Sequence, residues 1–440
     1  MSAPTLFIAL STGQNIANLL PILERAEPQD HVLWIESATA HQRGWSAGAL
    51  DVLSDQGVGA IQVETLDDDL PSSVDRLLRT HPLVQTGLSI ALIGNGGTKL
   101  QMLAAHQALA GRIDALLYNQ DHHCAMAVYQ GGPAGPVSEH PYRRHGIDLA
   151  EVLRCRGTEP VPGTGTRIWP GPAVPAATGF AIDREYTARR HDAVSRHARR
   201  QTIVSPRPTR YDDAAALAPQ QLRSFRRGIA AAMRQPPEAA PEPRLCASAY
   251  YGAFKLDEQA RIQARRQQAP SPSEIGPELE NAVAVRVLGW LARGERAVSG
   301  VQSVWRNVKV RRIGDSTALA ELDILFVLRN AVLLHLECKS FDADLKDMDA
   351  RLAVLQRSTS QLARMAICLP RYTDLPTSDW GGALAQKVDK VLSWSQFPLL
   401  GLTFPGQPTH MRDARGVEQR VPAFEDALAR WLSPFAEPAP

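Results

Sequence analysis

The stretch ELDILFVLRNAVLLHLECKS, residues 321–340, sets two apolar runs, DILFVL and AVLLHL, on either side of Arg329 and Asn330. Each run is about one strand long, and a polar pair between two such runs reads as the turn of a β-hairpin. A turn at Arg329–Asn330 brings Asp323 opposite Leu336 or Glu337. Alternation along the second strand puts Glu337 and Lys339 on one face and Cys338 on the other. One face of an otherwise apolar hairpin therefore gathers two carboxylates and an ammonium. Runs this apolar bury both faces, and buried like charges are costly unless a cation lies between them. The pattern predicts a divalent metal held by Asp323 and Glu337, with Lys339 beside it, and oxygen donors favour Mn2+ or Mg2+. The competing reading is an ion pair that closes a sheet edge.

Upstream, SPSEIGPELENAVAVRVLGWLARG (271–294) places a serine, a proline and acids before an apolar stripe at Leu279, Val283, Val287 and Leu291, with a glycine at the end. These are helix start and stop signals. Downstream come a long helix from about Leu345 to Ala363, a strand at MAICL, a helix near Leu384 to Val391 and a strand at PLLGLTF. VWRNVKVRR supplies a strand ahead of the hairpin, so the whole segment follows an α/β plan. Gln356, Arg357, Gln361 and Arg364 are candidates for contact with substrate phosphates.

The first 130 residues follow a different plan. TLFIAL, HVLWIES, AIQVETL, SIALIGNGG and IDALLYN are near-continuous apolar runs separated by amphipathic stretches. Such alternation predicts βα units around a parallel sheet covered on both faces, a Rossmann-like domain. Its fourth strand ends in IGNGGTKLQMLAAH, where glycines and a helix start form a cradle for an anion. The cradle is neither a Walker A loop nor GxGxxG, because Lys99 stands where the third glycine belongs, which disfavours an ATPase or a dehydrogenase. DHHC, residues 121–124, offers four potential ligands in a row, but adjacent residues point apart and no second pair lies at zinc spacing. A loop is the expectation there.

Between these parts, EPVPGTGTRIWPGPAVP (159–175) carries too many prolines and glycines to continue an element and predicts the start of a linker. Residues 183–234 then hold 12 arginines against five acids, and RQPPEAAPEP follows. This basic connector reads as solvated surface helices or as a surface that tracks phosphates. At 440 residues the chain accommodates two or three domains, and its 44% hydrophobic and 21% charged content excludes disordered, collagen-like and disulfide-stapled classes. It contains no apolar run of about 18 residues and no signal-peptide pattern at its start, so no membrane partner is expected. Five scattered cysteines without a CxxC pair point to a reducing, cytoplasmic setting. Of 48 basic residues only seven are lysines, and Lys99 and Lys339 both fall in the two motifs above.

The D-x13-E-x-K pattern after an acid-bearing helix resembles the PD-(D/E)XK nuclease superfamily, although Leu322 stands where a proline usually precedes the aspartate. The resemblance implies a restriction-endonuclease-like fold in which Asp323 and Glu337 bind the metal and Lys339 acts on the attacking water and the developing charge. Glu280 would add an acid from the preceding helix. NGGTK, with the polar loop Ser11 to Asn15 and DLAEVLRCRG at 148–157, resembles the CARF domains of type III CRISPR ancillary proteins. That resemblance covers about residues 1–155 and implies a homodimer that binds a cyclic oligoadenylate through Thr12, Gln14, Asn95, Gly96, Gly97, Thr98 and Lys99. Together they imply a CARF-like sensor (1–155), a connector (156–270) and a nuclease domain (271–440). The expected activity is cleavage of DNA and/or RNA, with cyclic tetra-adenylate as the favoured activator. A stand-alone restriction-like DNA nuclease and an inert CARF-type sensor are the alternatives.

Overall fold

The computed structural model describes residues 3–120, 122–143, 146–170, 280, 283–284, 286–294, 296–338, 345–370, 397–402, 409–412 and 418–437. Lys339 and the arginine-rich connector lie outside the described residues, as does the helix expected near 384–391.

The N-terminal sheet is built from β1 (Thr5–Leu10), β2 (His31–Glu36), β3 (Ala60–Thr65), β4 (Ser89–Ile93), β5 (Ile113–Asn119), β6 (Ala125–Gln130) and β7 (Val137–Pro141), in the order β3-β2-β1-β4-β5-β6-β7. Strands β1 to β5 run parallel, and β6 and β7 are added antiparallel. Helices α1 (Ile16–Arg25), α2 (Ala38–Gln42), α3 (Ala47–Asp55), α4 (Pro71–Thr80), α5 (Pro82–Gln85), α6 (Lys99–Ala108) and α7 (Leu149–Arg154) complete the domain. Strand alternation divides its core in two. Leu6, Ile8, Leu33 and Leu92 pack with Val74, Leu78 and Leu109 on one face, and Phe7, Ala9, Trp34 and Ile93 pack with Leu19, Val52 and Val152 on the other. This is the expected Rossmann-like plan, extended by an antiparallel edge.

The second sheet contains β8 (Thr158–Pro160), β9 (Thr166–Trp169), β10 (Val301–Arg312), β11 (Ala318–Leu328), β12 (Leu333–Cys338), β13 (Arg364–Pro370) and β14 (Leu399–Leu402). It is mixed: β10, β11 and β12 form an antiparallel meander, while β13 and β14 join parallel to β12. Helix α8 (Leu345–Ser358) links β12 to β13. Helical residues at 280, 283–284 and 286–291 precede the meander, and α9 (Phe424–Leu432) follows it and a small hairpin, β15 (Thr409–Arg412) and β16 (Glu418–Val421). Helix, three strands, helix, strand is the restriction-endonuclease-like order expected. Ile324, Phe326, Leu334 and Leu336 meet Val283, Val287, Leu291 and Phe424 on one face. Buried Arg286 pairs with buried Glu425 at 2.6 Å on that side. The other face packs Leu325, Val327, Leu333 and Ile367 with Leu355 of α8, and this cluster continues into Phe7, Trp34 and Val152.

One sequence expectation is corrected here. Residues 158–160 and 166–169, read as the start of a linker, pair with Val310–Arg312 and Val304–Arg306 of β10 as sheet strands. Prolines are tolerated because these are short strands on the outer side of β10. No helix among the described residues is long and apolar enough to cross a membrane.

Candidate functional site

The hairpin turn spans Arg329 to Ala331, with Leu328 N–H donating to Val332 O and Ala331 in the left-handed region at φ 58°. A three-residue loop of this kind fixes the register. Ile324 pairs with Leu336 and Leu325 with His335, so the next pair along is Asp323 with Glu337. Of the two partners the sequence allows for Asp323, the structure takes Glu337.

Glu337 is fully buried and Asp323 half-buried. The Asp323 Oδ2 accepts the Cys338 N–H at 2.8 Å, which ties the first strand's carboxylate to the second strand's backbone. His335, two residues before Glu337 and on the same face, is also buried. Its Nε2 accepts the Asp323 N–H at 3.1 Å and lies 3.4 Å from Glu337 Oε2. One donor atom from each of Asp323, His335 and Glu337 lies within 4.8 Å of the others. The Nε2 lone pair is committed to an amide, so His335 orients Asp323 and the two carboxylates remain as hard donors. This set fits Mg2+ or Mn2+ held by Asp323 and Glu337.

Sequence reasoning missed Arg351. Helix α8 lies over this face and brings the Arg351 Nη1 to 2.6 Å from Glu337 Oε1. Beside them Leu319, Leu322, His335, Ala350 and Val354 line a cavity of about 280 Å³. Glu280 is placed differently from the other acids. Its helical stretch packs Val283, Val287 and Leu291 on the face of Cys338, opposite the one Glu337 faces, and Glu280 is not among the three clustered donors. The Cys338 thiol is pushed well above its ordinary range, first by burial and then by the charges of Asp323, Cys368, Glu280 and Glu337. The acids therefore surround the end of β12 from both faces.

In the N-terminal sheet, β1 and β4 are neighbours from which the chain winds off in opposite directions. Crevices outside the carboxyl ends of such strands are where open α/β sheets bind ligands. Both loops singled out in the sequence lie there, and Gly97 N–H donates to Ser11 O to join them. Gly96 sits against Leu10 O, where a Cβ would approach to 1.7 Å, and Gly97 has φ 64°. Thr98 caps α6: its Oγ1 accepts Gln101 N–H while Gln101 Oε1 accepts Thr98 N–H. Lys99 opens that helix and is exposed. Asn95 exchanges two hydrogen bonds with the Asn119 backbone, an anchor rather than a solvent-facing group. Thr12 donates its N–H to Asn15 Oδ1. Gln14 Nε2 reaches across to Gln361 Oε1 at 2.9 Å, so this loop touches the segment that follows α8.

His122, His123 and Cys124 of the DHHC stretch lie in a loop, as expected, and Asp121 lies outside the described residues. Asn330 of the hairpin turn donates to His123 O, and Cys124 is buried between the two sheets, its thiol pushed up to about 11 mainly by burial. None of the four cysteines among the described residues is in a disulfide.

No family model matches the sequence, and no curated protein matches it. Solved structures do. Protein VC1899 from Vibrio cholerae has a TM-score of 0.53 at 13% identity, with 98% of each chain covered. Can2 from Sulfobacillus thermosulfidooxidans, solved in complex with cyclic tetra-adenylate, has a TM-score of 0.51 at 14% identity, covering 97% of this chain and 99% of that one. The two-sheet fold extends over essentially the full length of both.

Proposed function

We propose that this chain is a divalent-metal-dependent nuclease switched on by a cyclic oligoadenylate, with cyclic tetra-adenylate the favoured ring, acting in type III CRISPR antiviral defence on DNA and/or RNA. The observation that carries the reading is the buried register of Asp323 opposite Glu337. Support comes from the meeting of the loops after β1 and β4 outside the carboxyl ends of those strands, with Lys99 exposed at the start of α6, in a fold shared with Can2, which was solved with cyclic tetra-adenylate.

A metal at this site would polarise the scissile phosphate and lower the pKa of a water. Asp323 and Glu337 supply its charge balance, and His335 holds Asp323 in place. Lys339, two residues after Glu337 in the sequence, would offer a cation to the attacking water and to the developing charge. Glu280 acts from the other side of β12 as a further acid. In the crevice, Lys99 contacts a phosphate of the ring, while Thr12, Gln14, Gly96, Gly97 and Thr98 shape the loop against it. Asn95 holds the loop's base.

Plasmid and labelled RNA incubated with Mn2+, with and without cyclic tetra-adenylate, test the reading. Cleavage only with activator supports it. Cleavage independent of activator selects the stand-alone nuclease, and activator binding without any cleavage selects the inert sensor.

Two further results are expected. Lys99→Ala should raise the activator concentration for half-maximal cleavage by roughly tenfold, through loss of one charge-assisted phosphate contact, while saturating activator restores most of the rate. An unchanged half-activation point would reduce GGTK to a turn. Second, light scattering should report twice the chain mass, since a symmetric ring read by one loop set needs two copies of the loop. Leu100 and Leu103, 63% and 53% exposed beside Lys99, provide apolar surface for that contact. A monomer with and without activator would count against the sensor.

A further inference from the structure

Arg351 lies on α8, 14 residues beyond Glu337, with its side chain 42% exposed while its carboxylate partner is fully buried. A guanidinium 2.6 Å from Glu337 Oε1 compensates a charge that is otherwise costly to hold in the sheet. It also claims one of the oxygens that the metal reading requires. A monovalent guanidinium and a divalent ion repel strongly at such separations in a partly buried site. The cavity of about 280 Å³ beside Arg351 and His335 gives the side chain somewhere to move.

The helix that carries Arg351 is held at its other end by the N-terminal half of the chain. Thr158 Oγ1 donates to Ser358 O at 2.5 Å, Gln356 Nε2 donates to Gln361 O, and Gln361 Oε1 receives Gln14 Nε2 from the crevice loop. Contacts from the N-terminal half, including the loop after β1, thus reach the far end of the helix that carries Arg351.

We propose that Arg351 is a positioning residue of the carboxylate site, one that holds Glu337 and competes with the divalent ion for it. The proposal rests on the metal reading above. It predicts an opposite sign from a merely structural arginine: removing the guanidinium tightens metal binding, whereas loss of a structural support loosens it.

The test is Mn2+ binding to the full chain without nucleic acid, read by electron paramagnetic resonance of the free ion, for wild type, Arg351→Gln, Arg351→Lys and Asp323→Asn. Arg351→Gln should bind roughly tenfold more tightly or better. Arg351→Lys, which keeps the charge, should stay within a few-fold of wild type, and Asp323→Asn should lose the site. Equal or weaker binding by Arg351→Gln overturns the proposal, as does equal tightening by Arg351→Lys, because charge is then not the cause. If wild type binds Mn2+ and only the Arg351 comparison fails, the metal reading survives. If neither wild type nor Arg351→Gln binds, both fall. Should Arg351→Gln be too unstable to titrate, melting carries the same comparison: Mn2+ should raise its Tm by more than that of wild type, and an equal or smaller rise overturns the proposal.

Discussion

Glu337→Gln is expected to lower activator-stimulated cleavage by roughly 10²- to 10³-fold, the cost of deleting one preorganised electrostatic group from an active site. The side chain is fully buried, faces Asp323 across the hairpin and meets Arg351 at 2.6 Å. Glutamine keeps the shape and removes the charge, so one of two carboxylates proposed to hold the metal is lost without a cavity being made. Burying a neutral amide costs less than burying a carboxylate, and the fold should persist. Activator binding should be unchanged, because the crevice after β1 and β4 belongs to the other sheet. Single-turnover cleavage at saturating cyclic tetra-adenylate and Mn2+ measures the effect. A rate within a few-fold of wild type would remove Glu337 from the site.

Gly96→Ala should be among the most damaging single methyl additions in the N-terminal half. Its Cβ would lie 1.7 Å from Leu10 O and 2.7 Å from Asn18 Nδ2. Leu10 ends a central strand hydrogen-bonded on both sides, and its carbonyl already accepts from Asn18 Nδ2 at 2.7 Å. Neither neighbour yields without breaking that bond or parting β1 from the loop after β4. A loss of about 3 kcal/mol or more is expected, at the upper end for overpacking, together with loss of cyclic tetra-adenylate binding. Gly94→Ala is the control, since its Cβ first meets the Leu116 and Tyr118 side chains at 3.3 Å, which rotate aside more cheaply. Thermal melting and a ligand titration of both variants decide it. Gly96→Ala melting like Gly94→Ala would mean that the two loops are not pressed together as described.

Much of this was readable from the chain. Apolar runs separated by amphipathic stretches announce β1, β2 and β4, because burial on both faces leaves no room for polar alternation, whereas the edge strand β3 is largely exposed and carries polar residues in its run. The hairpin was legible too, and only its turn length was open. Ala331 at φ 58° supplies the third loop residue and settles Glu337 as the partner of Asp323. His335 was within reach, since alternation puts it on the face of Glu337. Other features depend on tertiary packing and leave no local trace. Arg351 reaches Glu337 only because α8 folds back over the sheet, and Gln14 meets Gln361 across 347 positions. β8 and β9 were obscured by the prolines and glycines around them, and their pairing with β10 is set by a strand more than a hundred residues away. The placement of Glu280 on the Cys338 side reflects helix packing that spacing does not encode.

The cluster that runs from Phe7 and Trp34 through Val152 into Val308, Leu325 and Ile367 makes the order of synthesis matter. A ribosome delivers β8 and β9 about 130 residues before β10, a delay on the order of ten seconds at usual elongation rates. Through that interval the nascent N-terminal half carries two strands without their partner and an apolar face without its cover, the kind of surface on which chains stick to one another. Each half closes one core face by itself, but the second face of each is covered only by the other, so a gene cut between them would yield two fragments that each expose an apolar surface until they meet.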